Sequence, residues 1–142
     1  MALPLAPLDT DTLSEVIKGR DSHAEQKAQH YLATHGRFQF SLLTRYEILR
    51  GLKAKQAVRQ IALFEQQCQS SRVFPLTDDI IVRAADIYAF LHRQGQLIGD
   101  ADILIAATAL VHGLVLITEN VAHLSHIPHL TIESWRAPRP AP

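Results

Sequence analysis

Two acidic residues, Asp100 and Asp102, open an otherwise apolar stretch of small residues that extends to Leu110. The stretch is typical of a buried helix. A carboxylate in the first turn of such a helix is stabilised by free backbone N–H groups and by the positive end of the helix dipole. Carboxylates are also the hard oxygen ligands that Mg²⁺ and Mn²⁺ prefer in proteins. This acidic pair is therefore a candidate part of a metal site, if distant parts of the chain bring other acids to it.

The other acids that would complete such a site lie far away in the sequence. Asp9 and Asp11 follow the first apolar segment, and Glu47 lies within Thr44–Gly51. If these residues converge with Asp102, they form an oxygen-lined pocket for a divalent cation. Acids clustered without a cation would repel one another strongly, so a bound metal would also offset an electrostatic cost.

Several of these polar residues also have an ordinary structural interpretation. Aspartate is a preferred helix N-cap, so Asp100 is assigned to the cap of its helix, and Asp11 is a candidate cap for the first helix. His123, His126 and His129 are spaced by three residues. A proline between the last two and the lack of an accompanying cysteine argue against a zinc site there. We expect these histidines to lie in solvent-facing loops.

Length and composition are those of one globular domain. The chain has 142 residues, of which 47% are hydrophobic and 20% charged, so it can bury a core without cross-links. Its single cysteine, Cys68, allows no internal disulfide and fits a reducing cytoplasm. No stretch is long and apolar enough for a membrane span, and no signal-peptide pattern is present. We expect a cytoplasmic protein with one domain over residues 1–136 and a proline-rich flexible tail over 137–142.

The charge balance limits how the chain can bind nucleic acid. Its 14 basic and 14 acidic residues give a net charge of zero, so there is no overall positive field to attract a polyanion. Binding would have to use a local patch. The candidate basic stretch consists of Arg45, Arg50, Lys53, Lys55 and Arg59. A solvated helix face is the more common explanation for such a run, and a nucleic-acid groove is the alternative.

The elements that must position the acids alternate between strands and helices. Strands are expected over residues 3–8, 38–42, 73–76, 114–118 and 130–133, and helices over 10–19, 22–35, 44–53, 56–71, 78–95 and 100–112. Pro4 and Pro7 weaken the first strand, since proline belongs at sheet edges or strand starts. Thr44 is the expected cap of the third helix. This alternation predicts a three-layer α/β/α domain with a mainly parallel sheet.

The predicted topology explains how separate acids reach one place. In an open parallel sheet, ligands collect beyond the carboxyl ends of the strands. Asp9 follows the first strand, Glu47 lies about one helical turn past the second, and Asn120 follows the strand at 114–118. Asp102 lies in the first turn of its helix. We therefore expect these four residues at one rim of the sheet.

Four ordered segments of the chain carry a resemblance to a known family. They are Leu8–Ser14, Thr44–Gly51, Asp102–Ala109 and Thr118–Asn120. Together they resemble the PIN-domain ribonucleases, and in particular the VapC-like toxins of bacterial toxin–antitoxin pairs. The resemblance extends from about Leu3 to Trp135. It implies a Mg²⁺- or Mn²⁺-dependent endoribonuclease that hydrolyses RNA and leaves a 5′-phosphate and a 3′-hydroxyl.

The resemblance also implies roles for individual residues. It makes Asp9, Glu47 and Asp102 both the catalytic acids and the metal ligands, and it makes Thr10 the residue that orients Asp9. Asn120 stands where the family has Asn or a fourth Asp, so it would position its neighbours by hydrogen bonding.

The fourth carboxylate of the site stays open at this point. Glu119 stands where a basic residue is common in the family, and Asp11 stands where Asn is common. Either of them could supply the fourth carboxylate, or there is none.

The resemblance further implies protein partners besides the RNA substrate. The expected partner is a small cognate antitoxin encoded beside this chain. Its tail would lie across the groove and place a basic side chain among the acids. A homodimer is also expected, with the helices of residues 44–71 as the candidate seam. No membrane partner is implied.

Two other classes of protein are compatible with acidic residues gathered on a parallel sheet. Response-regulator receivers also gather acids on a parallel sheet and bind Mg²⁺, with Asp78 or Asp79 as the phosphoacceptor. They need a lysine after the last strand, and no lysine follows residue 55 in this chain. A catalytically weak RNA-binding or regulatory domain that keeps the fold is the remaining alternative. RNA cleavage that depends on Asp102 would separate the nuclease from both.

Overall fold

The computed structural model describes residues 2–136, so the tail expected over 137–142 lies outside the described residues. The helices are α1 (Thr10–Lys18), α2 (Ser22–His35), α3 (Leu42–Ala54), α4 (Val58–Gln69), α5 (Asp78–Arg93), α6 (Asp100–Val111) and α7 (Val121–Leu124). The strands are β1 (Gln39–Ser41), β2 (Arg72–Phe74), β3 (Leu116–Ile117) and β4 (Ile132–Glu133). No helix within this part of the chain is long and apolar enough to cross a membrane.

The strands form a parallel sheet whose centre is a single residue, Leu8. β1 pairs with β2, and β3 pairs with β4, in both cases in parallel. Leu8 forms parallel bridges to Phe40 on one side and to Ile117 on the other. The order across the sheet is therefore β2, β1, Leu8, β3 and β4. The mainly parallel sheet expected from the sequence is confirmed.

The first strand differs from the expectation for residues 3–8. It is reduced to the bridge at Leu8, and it lies at the centre of the sheet although prolines favour an edge. The Pro7 carbonyl accepts the Ile117 N–H at 3.0 Å, but Pro7 has no N–H to extend the ladder. The Ala6 N–H and carbonyl instead contact the Tyr31 hydroxyl of α2, at 3.3 and 3.1 Å. A side chain thus replaces strand pairing at this end.

Two apolar cores lie on opposite faces of the sheet, as neighbouring strand residues show. Leu116 packs against α5 and α6, with Ile80 and Ala106 in the same core. The next residue, Ile117, packs in the other core with Leu13 and other residues of α1, α2 and α4. Successive strand side chains point to opposite faces, so both faces of β3 are covered. The three-layer α/β/α architecture is confirmed.

Most helix ends follow the local sequence signals. The Asp21 side chain accepts the Ala24 N–H and caps α2, and Thr77 caps α5. Gly19 and Gly36 end α1 and α2 with positive φ angles of 64° and 80°, which glycine adopts without steric cost.

The expected caps of α3 and α6 are wrong. α3 begins at Leu42 and is capped by Ser41, because the extended backbone of β1 runs directly into the helix. Thr44 consequently lies inside the first turn. In α6 the extended cap position belongs to Gly99, so Asp100 is already the first helical residue.

Candidate active site

The candidate acids lie around the rim where the strands end. Asp9 follows Leu8 directly, and its N–H donates to the Ile117 carbonyl at 2.9 Å. Glu47 lies in α3, which follows β1, and Asp102 lies in the first turn of α6. Three separate crossovers of the fold therefore supply one acid each.

Asp9 is held on both sides by hydrogen bonds. It is only 4% exposed. Its Oδ1 accepts the Thr12 N–H at 2.9 Å and its Oδ2 accepts the Thr118 hydroxyl at 2.5 Å. Burial raises the pKa of Asp9 to about 6, against the lowering effect of these hydrogen bonds. Asp9, and not Asp11, is thus the cap of α1.

Glu47 is oriented by a neighbour of Asp9. The Thr10 hydroxyl donates to Glu47 Oε1 at 2.6 Å and lies 3.1 Å from the Thr44 hydroxyl. Arg50, one turn further along α3, lies 3.6 Å from the other Glu47 oxygen. The structure thus pairs Thr10 with Glu47, whereas the sequence suggested Asp9. The two oxygens of Asp9 are bound by the Thr12 N–H and the Thr118 hydroxyl instead.

Asp102 is connected to the same rim through Asn120. The Asn120 side-chain amide donates to Asp102 Oδ2 at 3.2 Å, and the Asn120 backbone N–H donates to the Thr118 hydroxyl at 3.0 Å. The pKa of Asp102 is raised, first by burial and then by the negative charges of Glu47 and Asp11. The Asp102 and Glu47 carboxylates therefore lie near enough to repel each other.

Glu119 does not face these acids. Its Oε1 accepts the backbone N–H groups of Trp135 and Arg136 at 3.2 and 3.3 Å, and its Oε2 accepts the Ser134 hydroxyl at 2.8 Å. The structure thus places this candidate fourth carboxylate against the carboxyl-terminal segment. Asp11, the other candidate, is exposed and adds its charge near Asp102.

Thr118 is the site residue that sequence reasoning missed. Its buried hydroxyl donates to Asp9 and accepts the Asn120 N–H, so it joins two of the predicted residues. A signal was present, because Thr118 is the polar residue that ends the apolar run Leu114–Ile117. A hydroxyl at the carboxyl end of a buried strand points to a partner at the rim.

The donor set suits a hard divalent cation. After burial, the negative charges of Glu47 and Asp11 raise the pKa of Asp102, and a cation would relieve this repulsion. Across residues 2–136, no three His, Cys, Asp or Glu side chains converge within reach of one ion. Mg²⁺ commonly binds through one or two carboxylates and keeps several of its waters. The residues present therefore fit Mg²⁺ without needing three direct protein ligands.

Of the residues behind the alternative interpretations, His123 lies near Asp102, whose pKa it acts to lower. His123, His126 and His129 are all exposed, the first of them in the four-residue helix α7. Asp78 and Asp79 are exposed in the first turn of α5, which follows the edge strand β2. They are thus separated from Asp9 at the centre of the sheet. The geometry favours neither a zinc site nor a receiver-like phosphoacceptor.

The basic stretch is partly neutralised by acidic partners. Arg45 pairs with Glu65 at 2.7 Å, and Arg50 faces Glu47. The remaining members are exposed: Lys53, Lys55 and Arg59. Most of the stretch is therefore a solvated helix surface with a small residual positive charge.

An apolar groove of about 650 Å³ lies between α1, α3 and α4, apart from the candidate acids. Its lining includes Ile17, Ile48, Leu52, Leu63 and Phe64. Ile17 and Leu63 are 51% and 57% exposed, which is unusual for large apolar side chains. The groove has the character of a protein-binding surface.

Comparison with known proteins identifies similar chains over nearly the whole length. The family model for the PIN domain matches residues 7–129. The ribonuclease VapC2 of Haemophilus influenzae (strain Rd) is 30% identical over 129 residues, which cover 90% of this chain and 96% of the relative. The tRNA(fMet)-specific endonuclease VapC of Salmonella typhimurium is 29% identical with the same coverage.

Solved structures show the same similarity. DNA-bound VapBC from Salmonella typhimurium matches with a TM-score of 0.82 at 28% identity, covering 94% of this chain and 99% of that chain. VapBC-1 from nontypeable Haemophilus influenzae matches with a TM-score of 0.76 at 27% identity, covering 92% and 97% of the two chains.

Proposed function

This chain belongs to the PIN-domain family and, within it, to the VapC ribonucleases, and we propose that it cleaves RNA with the acids at its sheet rim. The protein is a ribonuclease toxin of a type II toxin–antitoxin pair. One observation carries the assignment of the site. A hydrogen-bonded path runs from Asp102 through Asn120 and Thr118 to Asp9, and the neighbouring Thr10 binds Glu47.

The proposed cofactor is Mg²⁺ or Mn²⁺; Asp9, Glu47 and Asp102 would surround it and bind it in part through its waters, because the three side chains do not converge within reach of one ion in residues 2–136. The hard oxygen donors and the crowded negative charge at Asp102 support it. When bound, such a cation supplies charge neutralisation at the phosphoryl oxygens and a more acidic water.

The protein's own residues then have distinct tasks. Thr10, Thr118 and Asn120 fix the orientation of Glu47, Asp9 and Asp102, in that order. Oriented carboxylates lower the barrier because the site needs little rearrangement when charge develops on the reacting phosphate. The threonine and asparagine groups are neutral donors, so they leave the negative charge of the rim in place for a cation.

The proposed partners are an RNA substrate, a cognate antitoxin and a second copy of the chain. The antitoxin proposal follows from the similarity to toxins solved as VapBC complexes. The apolar groove between α1, α3 and α4 offers a surface on which an antitoxin segment can bury apolar side chains. The homodimer is proposed from the resemblance alone.

The central experiment is expression of the chain with and without its neighbouring antitoxin, with RNA cleavage sites mapped. We expect growth arrest and discrete cleavage that the antitoxin relieves. Asp102→Asn should reduce cleavage by about 100-fold or more, because it removes a charged ligand. Asp100→Asn is the matched control. It changes an exposed residue of the same helical turn and should keep wild-type activity.

Two outcomes would reject the proposed function. A purified Asp102→Asn variant with full activity would remove Asp102 from the reaction. A folded wild-type protein that binds RNA but cleaves none with Mg²⁺ or Mn²⁺ would instead favour the regulatory RNA-binding alternative.

A further inference from the structure

Glu119 lies next to the candidate active site and binds the carboxyl-terminal segment Ser134–Arg136 with both of its oxygens. Its acceptors contact the backbone N–H groups of Trp135 and Arg136 and the hydroxyl of Ser134, at 3.2, 3.3 and 2.8 Å. Hydrogen bonds to a charged acceptor are stronger than those between neutral groups. The Glu119 side chain thus binds three consecutive residues.

The segment Ser134–Arg136 also contacts the rest of the molecule. Trp135 is 1% exposed, and its ring lies 5.6 Å from the ring of Tyr31 in the core. The Arg136 guanidinium donates to Glu15 of α1 at 3.3 Å. The segment is therefore anchored to the core and to α1, and Glu119 is hydrogen-bonded to it.

Glu119 stands in sequence between two residues that contact the candidate acids. Thr118 donates to Asp9, and Asn120 donates to Asp102. The turn Thr118–Asn120 thus contacts the acids Asp9 and Asp102 through its outer residues and the segment Ser134–Arg136 through Glu119. A displacement of the turn would change both contacts at once.

We propose that Glu119 is a positioning residue: by binding Ser134–Arg136, it holds the turn so that Thr118 and Asn120 meet Asp9 and Asp102. This inference rests on the proposed function, because the orientation of those acids matters to the reaction only in a nuclease. Glu119 itself contacts neither acid.

The test uses Trp135, the single tryptophan of the chain, as a built-in fluorescent probe of the segment. Glu119→Ala removes all three hydrogen bonds. We expect tryptophan emission at longer wavelength and a kcat about ten-fold lower, with KM for RNA within about two-fold of wild type. Glu119→Gln keeps an oxygen for the two N–H groups and should restore most of kcat. Glu133→Ala removes an exposed carboxylate from neighbouring β4 and should behave as wild type.

Each result decides for or against the proposal. Wild-type emission and kcat in Glu119→Ala overturn it, and so does a shifted emission with unchanged kcat. If Glu119→Ala does not fold, Ser134→Ala removes one of the three bonds to Glu119, together with the contact between the Arg136 N–H and the Ser134 hydroxyl, and should give a smaller loss of kcat. No loss there counts against the proposal.

The proposed function can fail separately from this inference. If the wild-type protein cleaves no RNA with Mg²⁺ or Mn²⁺, the claim that Glu119 holds the turn Thr118–Asn120 is tested by NMR of the Asn120 side-chain amide. Its resonance moves in Glu119→Ala if Glu119 holds the turn, and an unmoved resonance overturns the inference.

Discussion

At the scale of single residues, neutral hydroxyl groups orient two of the three candidate acids. Thr10 donates to Glu47 and Thr118 donates to Asp9. Burial keeps the Asp9 pKa raised in spite of its hydrogen bonds, because the hydroxyl and N–H donors do not fully replace water around a carboxylate. The site therefore holds its acids in place at an electrostatic cost.

Thr10 provides a direct test of this orientation. Thr10→Val keeps the branched shape but removes the 2.6 Å hydrogen bond to Glu47. We expect kcat to fall about ten-fold, as when second-layer partners of metal ligands are removed. Thr10→Ser retains the hydroxyl and should stay within about two-fold of wild type. Steady-state cleavage of a labelled RNA measures both, and an active Thr10→Val variant would show that Glu47 needs no such donor.

The raised pKa of Asp9 predicts a particular pH dependence of stability in the metal-free protein. The ordinary pKa of an aspartate is 3.8, and the pKa of Asp9 in the folded state is about 6. Between these values the folded state binds more protons than the unfolded state, so stability falls as pH rises through this window. A shift of this size corresponds to about 3 kcal/mol.

Asp9→Asn isolates this contribution, because its side chain carries no charge at any pH. Urea unfolding in EDTA at a series of pH values between about 4 and 7.5 should show wild type losing about 2–3 kcal/mol relative to Asp9→Asn. Parallel pH profiles for the two proteins would mean that Asp9 ionises normally. Saturating Mg²⁺ should reduce the difference, because a cation bound to the folded state compensates the charge.

At the scale of secondary structure, elements were predictable wherever local signals agreed. α2 begins at a capping Asp21 and ends at Gly36, as its sequence indicates. The rim that gathers the acids followed from topology, since each acid comes after a strand or opens a helix. The first strand was not predictable, because a hydroxyl from α2 replaces its ladder. The Thr118 donor to Asp9 was not assigned from the sequence, since the two residues are 109 positions apart, whereas Asn120 was expected to act by hydrogen bonding.

Tyr31 tests how α2 supports the amino-terminal segment. Its hydroxyl contacts the Ala6 N–H and carbonyl and accepts from the Gln39 amide. Tyr31→Phe would leave these buried groups without a partner, so we expect a loss of about 2–3 kcal/mol in the free energy of unfolding. Tyr88→Phe, on the exposed face of α5, is the control and should change stability by less than about 0.5 kcal/mol. Equal unfolding midpoints would show that the Tyr31 hydroxyl contributes nothing.

At the scale of the whole molecule, the positive and negative charges balance, so RNA binding depends on local contacts. The net charge is zero, and two arginines of the basic stretch, Arg45 and Arg50, already face glutamates. Long-range attraction of RNA is therefore weak, and binding depends on shape and on a few phosphate contacts.

This balance predicts a shallow salt dependence of RNA binding. Two or three phosphate contacts on single-stranded RNA give a slope of log K against log [salt] of about −1.4 to −2.1. Replacing Lys53, Lys55 and Arg59 together by Gln should flatten the slope further if these exposed cations make the contacts. Binding of Asp102→Asn to labelled RNA over a range of salt concentrations measures the slope without cleavage. A much steeper slope would indicate an extensive basic surface that the charge balance does not provide.

The single-residue bridge at Leu8 determines when the contacts of Asp9 can form during synthesis of the chain. Its neighbours in the sheet, Phe40 and Ile117, are separated by most of the chain. During synthesis, Asp9 lacks the acceptor for its N–H and the Thr118 hydroxyl until residues 117 and 118 have been made. Asp9 is consequently oriented late in synthesis, so the candidate site is incomplete until the segment that carries β3 and Thr118 has been added.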